Sequence, residues 1–190
     1  LIDRESTLED VCFAVAAVLA KNGITAVLTG GSAATIYAPA AYGSLDADFV
    51  LDRDEGLAQI AVAVYEIGYV RMKTSRIFTH PESTFTLDFP KGPLAVGGDY
   101  VTKTVVLKRG EQRLRILSRT DCVRDRLAHY YHWDDYTALS AAVGVAAADP
   151  RDVDFKVLQE WTRRESALLI EKYHEFEERL KYKLGEAKTP

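Results

Sequence analysis

The chain has 190 residues, 47% of them apolar and 27% charged, with a formal net charge of −4. That composition does not indicate disorder and leaves room for a sizeable core in one domain, or in one compact domain with a helical appendage. The negative balance excludes overall cationic attraction to a phosphate backbone, so nucleic-acid binding would need a local basic patch.

The first element is announced by Ser6-Thr7-Leu8-Glu9, a capping box, ahead of the apolar run Val11 to Ala20. The run is too short to span a bilayer and follows Glu9 and Asp10 instead of a basic region, so it reads as a buried helix and not as a signal peptide or membrane anchor. Ile24 to Leu28 reads as a short buried strand, and Gly30-Gly31 then lets the backbone turn tightly and approach a ligand without interference from a Cβ. Ser32 can cap a short helix through Ala33-Ala34-Thr35-Ile36-Tyr37, stopped by Pro39. A helix start of this kind attracts anions.

The next strand, Leu45 to Leu51, places Asp46, Asp48 and Val50 on one face and Leu45, Ala47, Phe49 and Leu51 on the other. Two carboxylates so spaced sit roughly 6–7 Å apart and repel each other when both are ionised, unless a cation or basic group intervenes. Asp54 to Ile67 carries apolar residues at helical spacing and is closed by Gly68; Tyr69 to Lys73 reads as a strand. In Phe85 to Pro90, Phe85, Leu87 and Phe89 face one way while Thr86 and Asp88 face the other, so Asp88 can join the same cleft if the strands are neighbours.

A loop rich in Gly and Pro, Pro90 to Gly98, precedes strands at Tyr100 to Lys108 and Gln112 to Leu117, joined by a hairpin at Arg109-Gly110-Glu111. From Ser118 the pattern is helical. Ser118 or Thr120 caps a helix through Tyr131, Asp135 to Ala148 makes a second, and Asp149-Pro150 ends it and starts a third at Asp152. The stretch Glu165 to Leu184 mixes charges around Leu168, Leu169, Tyr173, Phe176 and Leu180, and no internal repeat is present. Trp133 and Trp161 read as anchors of the helical packing. His129 and His132, three apart, could face one metal from a helix, but no third ligand accompanies them and histidines packed by tyrosines are commoner. The charged tail, Glu171 to Lys188, reads as a solvated helix face, with guidance of RNA as the rival reading. Cys12 and Cys122 are far apart and form no metal-type cluster; both read as reduced core residues of a cytoplasmic protein.

Gly30-Gly31-Ser32, the Asp46-x-Asp48 pair and the later Asp88 together resemble the signature of the polymerase-β-like nucleotidyltransferase superfamily. Thr120 to Ala128 and Trp133-Asp134 add a closer resemblance to small prokaryotic nucleotidyltransferases of the AbiEii/MenT-like toxin group. The resemblance spans residues from about 20 to about 165. It implies an α/β (α+β) fold: a small mixed sheet flanked by helices, residues 1–117, with a C-terminal helical bundle, residues 118–190, packed on it.

The activity implied is transfer of NMP from an NTP to an acceptor hydroxyl. Asp46, Asp48 and Asp88 would hold Mg²⁺ or Mn²⁺, and Gly30, Gly31 and Ser32 would hold the β- and γ-phosphates. The family's triphosphate-binding Lys has Arg126 as its nearest counterpart, with Asp134 or Asp135 for the acid further along; the planar fork of Arg differs from the point charge of Lys. The toxin relatives imply a tRNA 3′ end as acceptor and a cognate antitoxin as partner. Other branches modify proteins or small molecules such as aminoglycosides. Arg71, Lys73 and Arg76 form one modest basic cluster that an RNA acceptor could use. The alternative is a nucleotide-binding or interaction module without turnover, paired with an antitoxin or with itself.

Overall fold

A computed structural model describes residues 2–52, 56–73 and 75–185. In chain order the elements are α1 (Leu8–Lys21), β1 (Ala26–Thr29), α2 (Gly30–Tyr37), β2 (Asp46–Leu51), α3 (Leu57–Tyr65), β3 (Val70–Arg71), β4 (Ile77–His80) and β5 (Ser83–Asp88). There follow β6 (Ala95–Val96), β7 (Asp99–Tyr100), β8 (Thr104–Arg109), β9 (Gln112–Leu117), α4 (Arg119–Trp133), α5 (Tyr136–Ala148), α6 (Phe155–Glu165) and α7 (Ile170–Lys183).

Seven strands form one mixed sheet in the order β3-β4-β5-β2-β1-β9-β8, parallel at β2–β5 and β1–β9 and antiparallel elsewhere. Register fixes which residues share a face. Leu28 pairs with both Phe49 and Ile116, and Ala47 pairs with Leu87; all five are fully buried on the side where α1 packs against β9 and α3 packs against α1. The opposite face carries Asp46, Asp48 and Asp88. This is the α/β fold expected, with helices flanking a mixed sheet.

The helices of the C-terminal part pack on α2 through α4 and α5, and α7 packs on α5. One apolar cluster runs from Leu8 to Leu180. Trp161 is fully buried and stacks on Tyr131 at 5.7 Å, with the Arg124 guanidinium 5.1 Å from its ring centre. Trp133 departs from expectation: it is 68% exposed and touches only the rings of His129 and His132 among the described aromatic groups. The α4 C-cap, Asp134 at φ +51°, turns the chain just after it, so the indole is left outside the packed seam.

Other departures have local causes. The capping box of α1 is Thr7 with Asp10, one residue later than Ser6 with Glu9, because the Thr7 hydroxyl accepts from Asp10 N while the Asp10 carboxylate accepts from Thr7 N. Helix α2 begins at Gly30 itself, so Ser32 lies inside its first turn and is not its cap. Strand β4 and the β6–β7 hairpin were hidden by short, weakly alternating segments, and Tyr100 pairs with Ala95 instead of leading into β8. Pro150–Asp152 is a 3-10 turn and the third C-terminal helix starts at Phe155, capped by Asp154. Asp54, the expected start of α3, lies outside the described residues.

Close approach of α5 to the segment after α2 requires Gly144, where an added Cβ would come 2.5 Å from the Ala41 Cβ. Ordinary glycines in helix interiors gain stability on replacement, but overpacking of about 1–3 kcal/mol outweighs that gain here. Gly144→Val is therefore expected to destabilise the protein by about 2 kcal/mol, read as a lower urea midpoint at unchanged m. An unchanged or raised midpoint would show that α5 does not approach that closely.

Candidate functional site

The site forms where β1 ends and α2 begins. Thr29 pairs with Asp48 across β1–β2, and Asp48 pairs with Asp88 across β2–β5, so the two aspartates stand side by side on neighbouring strands with Asp46 two residues along the same face. Gly30, at φ +64°, lies against Asp48; any Cβ there would drive into that carboxylate, and the conformation itself disfavours a side chain. Gly31 is confined less tightly, since a Cβ would meet the Tyr42 ring at 3.0 Å and the Ser44 hydroxyl at 3.2 Å. The backbone of Gly30 thus lies against the Asp48 carboxylate with no side chain of its own between them.

The supporting hydrogen bonds are specific. Ser32 Oγ donates to Thr29 O at 2.7 Å and accepts from Asp48 N at 3.1 Å, tying the turn to the acid strand. Its hydroxyl is fully committed and fully buried. Ser44 Oγ donates to Asp46 Oδ1 at 2.7 Å, while Ser44 N donates to Thr35 Oγ1, whose hydroxyl in turn donates to Gly31 O. Asp46 is therefore aimed by a residue two positions before it.

A cavity of about 550 Å³ opens over this face. Of the residues expected from sequence, Gly30, Gly31, Asp46, Asp48, Asp88 and Arg126 line it; Ser32 does not, standing behind the turn as its brace. Asp135 also lines the cavity, whereas Asp134 points outward to Lys172 at 2.7 Å. Arg126 is 6% exposed and donates through Nε and Nη2 to Asp125 Oδ2 at 3.0 and 2.7 Å. Tyr42, Ser44, Arg76, Lys91, Asp125 and His129 line the cavity too, though sequence reading gave none of them a place beside the acids. Ser44 alone had a local signal, its position two residues before Asp46; the others arrive from loops and from α4 through tertiary packing.

The acids crowd one another. Burial, then the charges of Asp46 and Asp88, pushes the Asp48 carboxyl up to about 7, with Arg126 offsetting part of the effect. Arg76 Nε stands 2.7 Å from Asp88 Oδ1 as an ion pair, yet that buried oxygen receives no aligned hydrogen bond among the described residues. Carboxylate oxygens of this kind suit a hard divalent cation, Mg²⁺ or Mn²⁺, and an under-satisfied acceptor beside a carboxyl forced toward protonation fits one. Among the described residues no three ligating side chains are drawn into a finished cluster. Asp46 is turned to Ser44 and Asp88 to Arg76, so the acids share a face without converging on a point. Burial and the charge of Arg126 hold the His129 imidazole below its ordinary pKa.

The sign of the Asp48 effect is testable. A carboxyl raised from 3.8 to about 7 on folding binds its proton more tightly in the folded state, so its favourable contribution is full below about pH 4 and is lost as pH rises through 7. Asp48→Asn is expected to raise the urea midpoint of EDTA-treated protein at pH 8 and to leave it nearly unchanged at pH 4. Equal shifts at both pH values would mean that Asp48 carries no buried-charge penalty.

No protein-family model matches the chain, and no curated protein matches it. Among solved structures it is similar to an antigenic nucleotidyltransferase-like protein from Paracoccidioides brasiliensis, with TM-score 0.65 and 15% identity over 94% of each chain. The antibiotic-resistance factor ANT(2″)-Ia aligns less closely. Its solution structure gives TM-score 0.49 at 14% identity over 85% of this chain and 94% of its own. Its crystal complex with adenylyl-2″-tobramycin gives 0.48 at 15% over 80% and 95%. At the level of architecture, this chain has a nucleotidyltransferase-like fold.

Proposed function

We propose that this protein transfers a nucleotidyl group from an NTP to an acceptor hydroxyl, with Asp46, Asp48 and Asp88 holding Mg²⁺ or Mn²⁺. The observation that carries the reading is the in-register pair Asp48–Asp88 on one sheet face, with Asp46 beside it and the bare backbone of Gly30 against Asp48. When bound, the divalent ions neutralise charge on the attacking and leaving oxygens of an in-line displacement.

The chain's own groups divide the remaining work. N–H groups of Gly30 and Gly31 receive the β- and γ-phosphates and retain the leaving pyrophosphate. Ser32 holds that turn at a fixed height above Asp48, and Ser44 fixes the rotation of Asp46. Arg126, held charged by Asp125, faces Asp48 and supplies positive charge where the triphosphate enters. Asp88 lies one strand further from the turn, and we assign it to the side of the acceptor hydroxyl. Catalysis is then chiefly positioning and electrostatics.

The acceptor we favour is an RNA 3′ end, as in the toxin group that the motifs resemble; a toxin-like role with a cognate antitoxin rests on that resemblance. One observation favours the second reading, a nucleotide-binding module without turnover: the ion pair of Arg76 with Asp88 occupies one of the three acids.

Incubation with labelled NTPs, Mg²⁺ and total RNA decides between them. Label is expected on an acceptor, and Asp46→Asn or Asp48→Asn is expected to lower turnover at least about a hundredfold, the scale of losing one preorganised charge-stabilising group. Wild-type turnover in either variant would remove this mechanism.

A further inference from the structure

The face that carries the acids continues across the sheet to a cluster of cations. Val50 pairs with Val27 and Leu28 with Ile116, so Arg115, one residue before Ile116, shares the side of Val27, Val50 and Asp48. In the β8–β9 hairpin Val106 stands opposite Arg115 and Lys108 opposite Arg113. Lys108, Arg113 and Arg115 therefore rise together from the acid face. All three are exposed, and among the described residues none is in an ion pair. Arg115 makes one contact of 3.4 Å to Thr104 Oγ1.

Two cations directly opposite on paired strands repel each other. Lysines on an edge strand have an ordinary explanation, since they block pairing with another chain. That covers Lys108 on β8, which is the sheet edge, but not Arg113 and Arg115 on β9, which is paired on both sides. By contrast Arg109, on the other face of the hairpin, is neutralised by Asp10 at 2.7 Å. A face left uncompensated by the fold matches an anion from outside.

The cavity nearest these cations borders the acid cavity. This second cavity, about 320 Å³, is lined by Val27, Asp52, Leu94, Tyr100, Thr104 and Arg115 among others, and Pro93 and Leu94 belong both to its wall and to that of the acid cavity. Tyr100 at its margin is 71% exposed, an unpacked aromatic ring on which a base can stack. Arg115 lies two strands from β2, roughly 10 Å across the sheet. The acids on this path are Asp52 on the cavity wall and Glu111 at the hairpin tip.

We propose that the Lys108–Arg113–Arg115 face of the β8–β9 hairpin, with Tyr100, binds the phosphate backbone of a single-stranded RNA and leads its end toward Asp46, Asp48 and Asp88. This rests on the proposed function for the role of that end, but the surface itself stands on register and charge. A single strand is favoured over a duplex because the contact is a narrow track with one stacking ring.

The test is fluorescence anisotropy of a labelled oligo-uridylate of about twelve nucleotides over a KCl series from about 50 to 200 mM, with MgATP titration calorimetry on the same proteins. Binding is expected to weaken steeply with salt. The double variant R113E/R115E should lose at least about tenfold in affinity and lower the log–log salt slope by about 1.4, the share of two phosphates, while binding MgATP as the wild type does. Tyr100→Ala should lose about tenfold. R113Q/R115Q serves if charge reversal impairs folding. Unchanged RNA affinity in the arginine variants, or displacement of the RNA by polyglutamate at equal charge concentration, overturns this inference. Wild-type protein that binds MgATP but no RNA overturns it alone, whereas RNA binding without binding of any of the four NTPs in the presence of Mg²⁺ overturns the enzymatic reading and leaves the surface standing.

Discussion

Repulsion among Asp46, Asp48 and Asp88 is the constraint around which the rest of the molecule is arranged. A sheet that buries carboxylates on adjacent strands raises its own free energy unless protonation, a basic partner or a cation relieves the crowding. The first two are visible here, with a hydrogen bond besides. Asp48 is pushed toward holding its proton, Asp88 meets Arg76, and Asp46 takes the Ser44 hydroxyl. The acids are kept apart by protein groups that a divalent cation would have to replace, which explains a shared face without a finished metal cluster.

The second element of the design is rigidity of the turn. Ser32 bonds to both Thr29 and Asp48, so the helix start is tied to the acid strand. Glycine is needed at position 30 on two grounds, the positive φ and the adjacent carboxylate, and either would suffice to disfavour a side chain. The C-terminal helices then contribute through α4, which carries Arg126 and His129 to the cavity, and through the Asp135 cap of α5. Asp99 links the β6–β7 hairpin to this helical part by accepting from Arg124 at 2.9 Å and Arg164 at 2.6 Å, close to the loop that bears Lys91 and Leu94.

Charge is segregated despite the modest negative balance. Acids share the centre of one face, and cations without an ion pair among the described residues stand at its β8–β9 end. A net value of −4 describes neither region. Electrostatics acts over about a Debye length, roughly 8 Å at physiological salt, so each patch presents its own field to a ligand.

The candidate site was legible where its signal was local. Alternation alone put Asp46 and Asp48 on one face, and the Gly-Gly pair announced a turn that approaches something closely. Phe85-x-Leu87-x-Phe89 set the side on which Asp88 stands. Ser32 shows the limit: sequence marks it as a polar residue at a helix start, but only the packing decides that its hydroxyl faces backward to brace the turn. Trp133 shows it as well, since a large indole reads as core until the left-handed cap at Asp134 turns the chain and leaves it exposed.

What the amino-acid order determined by itself was the set of periodicities, caps and turns, and so the acids, the glycine turn and most of the elements, because these depend on residues a few positions apart. What only the tertiary structure decided was adjacency: β2 beside β5, β9 beside β1, and α4 over the cavity. Strand order and register depend on contacts between residues tens of positions apart, and short-range patterning does not encode them.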